Sequence, residues 1–135
     1  MREGTVRTLD DDELEFVLLL RSLGVHRNVA KVITYLTAVG EAKSREIEHG
    51  CDMRQPEISI AMRELRRQNW ISEREIKGEG KGRPFKTYVL TTPVDRIIKS
   101  IEEERRKESD ETMESIQKLR DLAGAGARLA SREIL

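Results

Sequence analysis

Apolar residues recur along this chain at two different periods, and the change from one to the other marks out its elements. From Asp10 the spacing is helical. Three aspartates load the first turn, where a helix dipole favours negative charge, and Leu14, Val17, Leu18 and Arg21 follow until Gly24 ends the run. Val29, Val32, Ile33, Leu36 and Val39 form one buried stripe, which predicts a second helix from about Arg27 to Val39 with Gly40 as its stop. A short third helix is expected from Lys43 or Ser44, carrying Ile47 and closing at Gly50, a residue suited to the left-handed position after a helix. His26 reads as a helix-start residue. After the turn Cys51-Asp52-Met53-Arg54-Gln55, Pro56 marks the first position of a fourth helix, because proline is preset for that site and has no amide to leave unpaired. Its core stripe is Ile58, Met62 and Leu65. Gln55, Glu57, Ser59, Ile60, Arg63, Arg66 and Arg67 are then left outside, and Trp70 and Ile71 dock the chain back on the core.

From Ile71 the period becomes two, as in a strand, and glycines follow at 78, 80 and 82. Phe85 to Leu90 alternates again, so the two runs form a hairpin with a basic tip, Lys81-Gly82-Arg83-Pro84. Past Pro93 a helix resumes with Val94, Ile97, Ile98 and Ile101 as an apolar seam. The stretch 102–112 is wholly polar or charged, which means either a solvent-crossing helix or a break, before Met113, Ile116, Leu119 and Leu122 restore the seam. One small domain has little surface left to bury such rows, so they are expected to pair two chains, joined by Leu14, Val17 and Leu18. The organisation expected is a domain over 1–92, a helical dimerisation segment over 93–123 and a flexible tail over 124–135.

Charge sharpens this picture. The 135 residues carry 25 basic and 25 acidic side chains, but the balance is uneven: 3 basic and 6 acidic in residues 1–24, 13 and 9 in 25–92, 9 and 10 in 93–135. Within the positive middle, Arg54, Arg63, Arg66, Arg67, Arg74, Lys77, Lys81, Arg83 and Lys86 face five acids, and this stretch is the candidate electrostatic footprint. A solvated surface would show the same charge. The longest apolar run, Phe16 to Leu20, is far below the roughly 18 residues a membrane helix needs. Nothing in the acidic N-terminal stretch reads as a signal peptide. A single cysteine, Cys51, makes no internal disulfide, which fits a cytoplasmic protein.

The stretch Met53-Arg54-Gln55-Pro56-Glu57-Ile58-Ser59, then Leu65 and Trp70-Ile71, and the run Gly82-Arg83-Pro84-Phe85-Lys86-Thr87-Tyr88-Val89-Leu90-Thr91 resemble the winged helix-turn-helix regulators of the ArsR, MarR and TrmB types. The resemblance covers roughly residues 12 to 100. Those families commonly place a glycine before the wing where Asn69 stands here, and asparagine tolerates the left-handed conformation. The resemblance implies a mostly α fold with a small β-hairpin, a C-terminal dimerisation helix or helices, and a sequence-specific transcriptional regulator working on double-stranded DNA as a homodimer. Short and forked hydrogen-bonding groups on successive turns suit base edges in the major groove, where arginine reads guanine and glutamine reads adenine. The expected DNA-binding set is Arg54, Gln55, Ser59, Arg63, Arg66, Arg67, Lys81, Arg83 and Lys86, with Arg83 reaching the minor groove or its phosphates. Glu57 counts against it, since an acid there repels phosphate unless it accepts from a cytosine amino group.

Other chemistry is thin. His49, Cys51 and Asp52 lie where ArsR-type metal sensors keep a pair of cysteines, but one thiol without a second soft ligand argues against a metal, and no cofactor is expected. There is no glycine-rich phosphate loop, zinc-protease helix or nucleophile with a plausible base, so an enzyme is not expected. The competing reading is a winged-helix protein-interaction module of the transcription or assembly machinery, favoured by zero net charge and by Glu57, Glu64, Glu73 and Glu75 among the basic residues.

Overall fold

Local capping sets most of the helix ends. Helix α1 (Asp11–Ser22) starts where the Asp10 side chain accepts from the Glu13 amide at 2.8 Å and Glu13 accepts in return from the Asp10 amide at 2.9 Å. Arg7 clamps the same Glu13 carboxylate with both of its terminal nitrogens, at 3.0 and 2.6 Å. Helix α2 (Arg27–Val39) is capped by His26, whose Nδ1 accepts from the Asn28 amide at 3.1 Å, and it ends at Gly40 with φ of 88°. These coordinates are a computed structural model describing residues 7–76 and 85–134, with side chains through residue 126.

A short strand β1 (Glu41–Lys43) leads into α3 (Ser44–Cys51), a tight turn, α4 (Gln55–Arg67), strands β2 (Ile71–Ile76) and β3 (Phe85–Leu90), and α5 (Val94–Ile134). The sheet order is β1-β3-β2, antiparallel throughout, with Tyr88 opposite both Ala42 and Glu73. The path α2, β1, α3, α4, β2, β3 is that of a winged helix-turn-helix. Its helix-turn-helix is α3–α4, and its wing is β2–β3. Ile33, Leu36, Ile47, Ile58, Met62, Leu65 and Ile97 are fully buried, so the core stripes read on α2, α3 and α4 meet in one core. Asn69 adopts φ of 62° ahead of the wing, as its chemistry allows.

The structure departs from the pattern reading at three places. Strand β1 carries no periodicity of its own, because three residues are too few; it exists through its pairing with β3. Gly50 lies inside α3 instead of closing it, and the left-handed residue is Asp52, at φ of 54°. A Cβ on Gly50 would meet the Tyr35 ring and come within 2.6 Å of the Arg7 carbonyl oxygen, so glycine is there for close approach. Finally, α5 is one 41-residue helix: the polar stretch 102–112 is continuous helix, and residues 124–134, expected as a flexible tail, belong to it. The chain divides into one unit through Ile97 and a second from Ile98 onward. Among the described residues no helix is long and apolar enough to cross a membrane.

Candidate nucleic-acid interface

Helix α4 turns Ile58, Ala61, Met62 and Leu65 into the core, and this fixes what it shows to solvent. At 100° per residue the direction opposite that core stripe falls on Pro56, Ile60, Arg63 and Arg67, spaced i, i+4, i+7 and i+11, and all four are exposed. Ser59 is exposed beside them. The helix-turn-helix therefore presents a ridge of proline, isoleucine and two arginines flanked by a hydroxyl.

The side chains around the ridge are unequally available. Gln55, expected as a base reader, spends its amide nitrogen on α3, donating to Ser44 Oγ at 2.5 Å and to the Glu48 carboxylate. It ties the two helices together. Glu57, expected to oppose DNA, accepts from the Arg54 amide at 2.9 Å and so caps α4. Arg67 Nη2 lies 2.6 Å from Glu64, and hydrogen bonds from Arg67 and Gln68 hold the Glu64 carboxyl below its ordinary value. Glu73 on β2 collects two cations, Arg66 of α4 at 2.5 Å and Lys86 of β3 at 3.3 Å, and thereby clasps helix to wing. Arg74, on the same strand, pairs with Glu41 at 3.3 Å. Among the described residues Arg54 and Arg63 have no carboxylate within ion-pair distance. The structure thus brings Arg54, Ser59, Arg63, Arg66, Arg67 and Lys86 to the exposed surface, and among the described residues three of these five cations are engaged by carboxylates. Lys81 and Arg83, expected at the tip of the wing, lie outside the described residues.

The residues expected to pair two chains divide as well. Val17, Ile97 and Ile101 are buried within the single chain, and Val94 is half-buried, so their contact surface is already spent. Leu14 and Leu18 remain exposed on α1, as do Ile98, Met113, Ile116, Leu119 and Leu122 on α5. Leu19 on α1 and Leu23 just after it, absent from the sequence reading, are exposed too; the run Phe16–Leu20 is too uniformly apolar for its pattern to say which side faces the core.

Cys51 is buried, its thiol 3.6 Å from the Lys31 carbonyl oxygen, while His49 is exposed. Among the described residues no group of three or more histidine, cysteine or acidic side chains is arranged to hold a metal ion.

No protein-family model matches this chain, and no curated protein does. Among solved structures it is similar to NadR, crystallised in complex with 4-hydroxyphenylacetate, at 18% identity over 87% of this chain and 82% of that one, with a TM-score of 0.49. It is similar also to the circadian clock associated protein Pex from Anabaena, at 16% identity over 78% and 86%, with a TM-score of 0.41. At such values the winged fold rests on the order of helices and strands in this chain itself.

Proposed function

We propose that this chain is a transcriptional regulator that binds double-stranded DNA sequence-specifically as a homodimer, with α4 in the major groove and the wing on the minor groove or backbone. The observation that supports it most is Arg63, exposed on the α4 ridge and without an ion-pair partner among the described residues. A guanidinium so placed offers two parallel donors to the O6 and N7 of guanine. Arg54, Arg66, Arg67 and Lys86 supply phosphate contacts, the last three by exchanging a carboxylate for a phosphate. Lys81 and Arg83 extend the contact from the wing, on the strength of the sequence.

The test is fluorescence anisotropy on duplexes recovered by selection from a random library. Binding should weaken steeply with rising salt, as phosphate contacts require. Arg63→Ala should lose affinity and base preference together, a bidentate contact being worth about 1–3 kcal/mol of discrimination. Failure to select any duplex, or binding indifferent to salt, would favour a protein-interaction module instead. That second reading draws on the internal pairing of Arg66, Arg67 and Lys86, which leaves the surface close to neutral.

A further inference from the structure

The α4 ridge has a feature that phosphate and guanine recognition leave unused. Ile60 is 59% exposed, one turn before Arg63 and one turn after Pro56, at the centre of the ridge. Its neighbours Glu57, Ser59, Arg63 and Glu64 are polar or charged, so a branched aliphatic side chain stands in water with Pro56 as its apolar neighbour on the ridge. Nothing on the described surface requires it there: the core contacts of α4 are made by Ile58, Ala61, Met62 and Leu65 on the opposite side. The major groove offers one apolar group among its base edges, the C5-methyl of thymine. A helix placing Arg63 against a guanine brings the side chain one turn earlier on the same stripe to a neighbouring base step.

We infer that Ile60 is a specificity-determining residue that packs on a thymine methyl group, so that the preferred site pairs a guanine read by Arg63 with a nearby thymine read by Ile60. This inference rests on the DNA-binding reading above. Arg63, one turn further along the ridge and without a carboxylate partner among the described residues, favours a nucleic acid as the occupant over an apolar protein surface, which would have to bury that cation unpaired; the acids at i−3 and i+4 from Ile60 are themselves engaged, Glu57 by the Arg54 amide and Glu64 by Arg67.

The experiment uses the full chain and the consensus duplex recovered from a random-sequence library. Each thymine of the consensus is replaced in turn by deoxyuridine, which removes the methyl and keeps every hydrogen-bonding edge. One replacement should weaken wild-type binding about fourfold, the loss expected for one buried methyl group. The Ile60→Ala protein should bind more weakly than wild type and show no further loss at that position, while Arg63→Ala should retain the deoxyuridine penalty. A consensus without a thymine, or a wild type indifferent to every deoxyuridine, overturns the role of Ile60 and leaves the DNA-binding reading standing. Equal penalties in wild type and Ile60→Ala overturn it as well. Because Ile60 is exposed, the alanine variant should keep the wild-type melting temperature, so a loss of fold does not imitate the expected result. Failure to recover any consensus duplex overturns the reading on which the inference stands.

Discussion

Burial pushes the Cys51 thiol up to about 12, with Lys31 pulling only weakly in the opposite direction. The thiolate, the form that reacts, is scarcely present at neutral pH. Iodoacetamide should therefore modify the native protein far more slowly than the urea-unfolded chain, and mass spectrometry of timed samples reads the two rates directly. Equal rates would mean that α3 opens readily. Glu13 lies at the other extreme. Its carboxyl is held below its ordinary value, chiefly by the hydrogen bond from Arg7 and also by the Asp10 amide. A carboxylate with a lowered folded pKa stabilises the fold fully above the unfolded carboxylate value, and that contribution disappears as pH falls through the folded one. Glu13→Gln keeps the cap geometry but removes the charge. Its melting temperature should lie below wild type at neutral pH, and the two should converge in acid; a gap constant from neutral to acid pH would assign the loss to packing.

Within elements, the informative contrast is between two helical glycines. In an exposed helix, alanine is preferred over glycine by about 1 kcal/mol, so Gly126→Ala in α5, where an added Cβ meets nothing within 4 Å, should raise helical stability. Gly50→Ala in α3 should do the reverse, destabilising by about 1–3 kcal/mol as Tyr35 and the Arg7 carbonyl are forced apart. Circular dichroism melts of both variants decide the signs. The same contrast explains what could be read from the chain. Helices α2 and α4, the His26 cap and the left-handed Asn69 are set by side chains within a few residues, and pattern reaches them. Strand β1, the packing role of Gly50 and the bond from Gln55 to Ser44 depend on residues brought near by folding. The candidate site divides in the same way: the exposed positions of Ser59 and Arg63 on α4 are legible from spacing, whereas the capture of Arg66 and Lys86 by Glu73 needs the helix and wing in three dimensions.

At the scale of the whole molecule, each unit leaves aliphatic side chains in water that a single chain does nothing with. On α1 and at its C-terminal end these are Leu14, Leu18, Leu19 and Leu23, and on α5 they are Met113, Ile116, Leu119 and Leu122. The intervening stretch of α5 is bound up in local pairs such as Arg106 with Glu102 at 3.0 Å, which suits a solvent-exposed helical segment. Each large aliphatic side chain moved from water into an interface contributes about 1.5–3 kcal/mol, so a handful on each helix suffices for association. The expected occupant of both faces is a second copy of the chain, and a two-fold pair would set its recognition helices about 34–36 Å apart, or a multiple of that, which calls for an inverted-repeat operator. Leu18→Asp and Leu119→Asp place a charge in each face without touching the core or the α4 ridge. Light scattering should give twice the chain mass for wild type and the single-chain mass for at least the α5 variant, with unchanged melting of the winged unit. The monomeric variant should bind a half-site as well as wild type does but lose the gain from the full inverted repeat. A wild type that is monomeric at micromolar concentration would remove dimerisation from the proposal, and dimers persisting in both variants would move the interface to another surface of the chain.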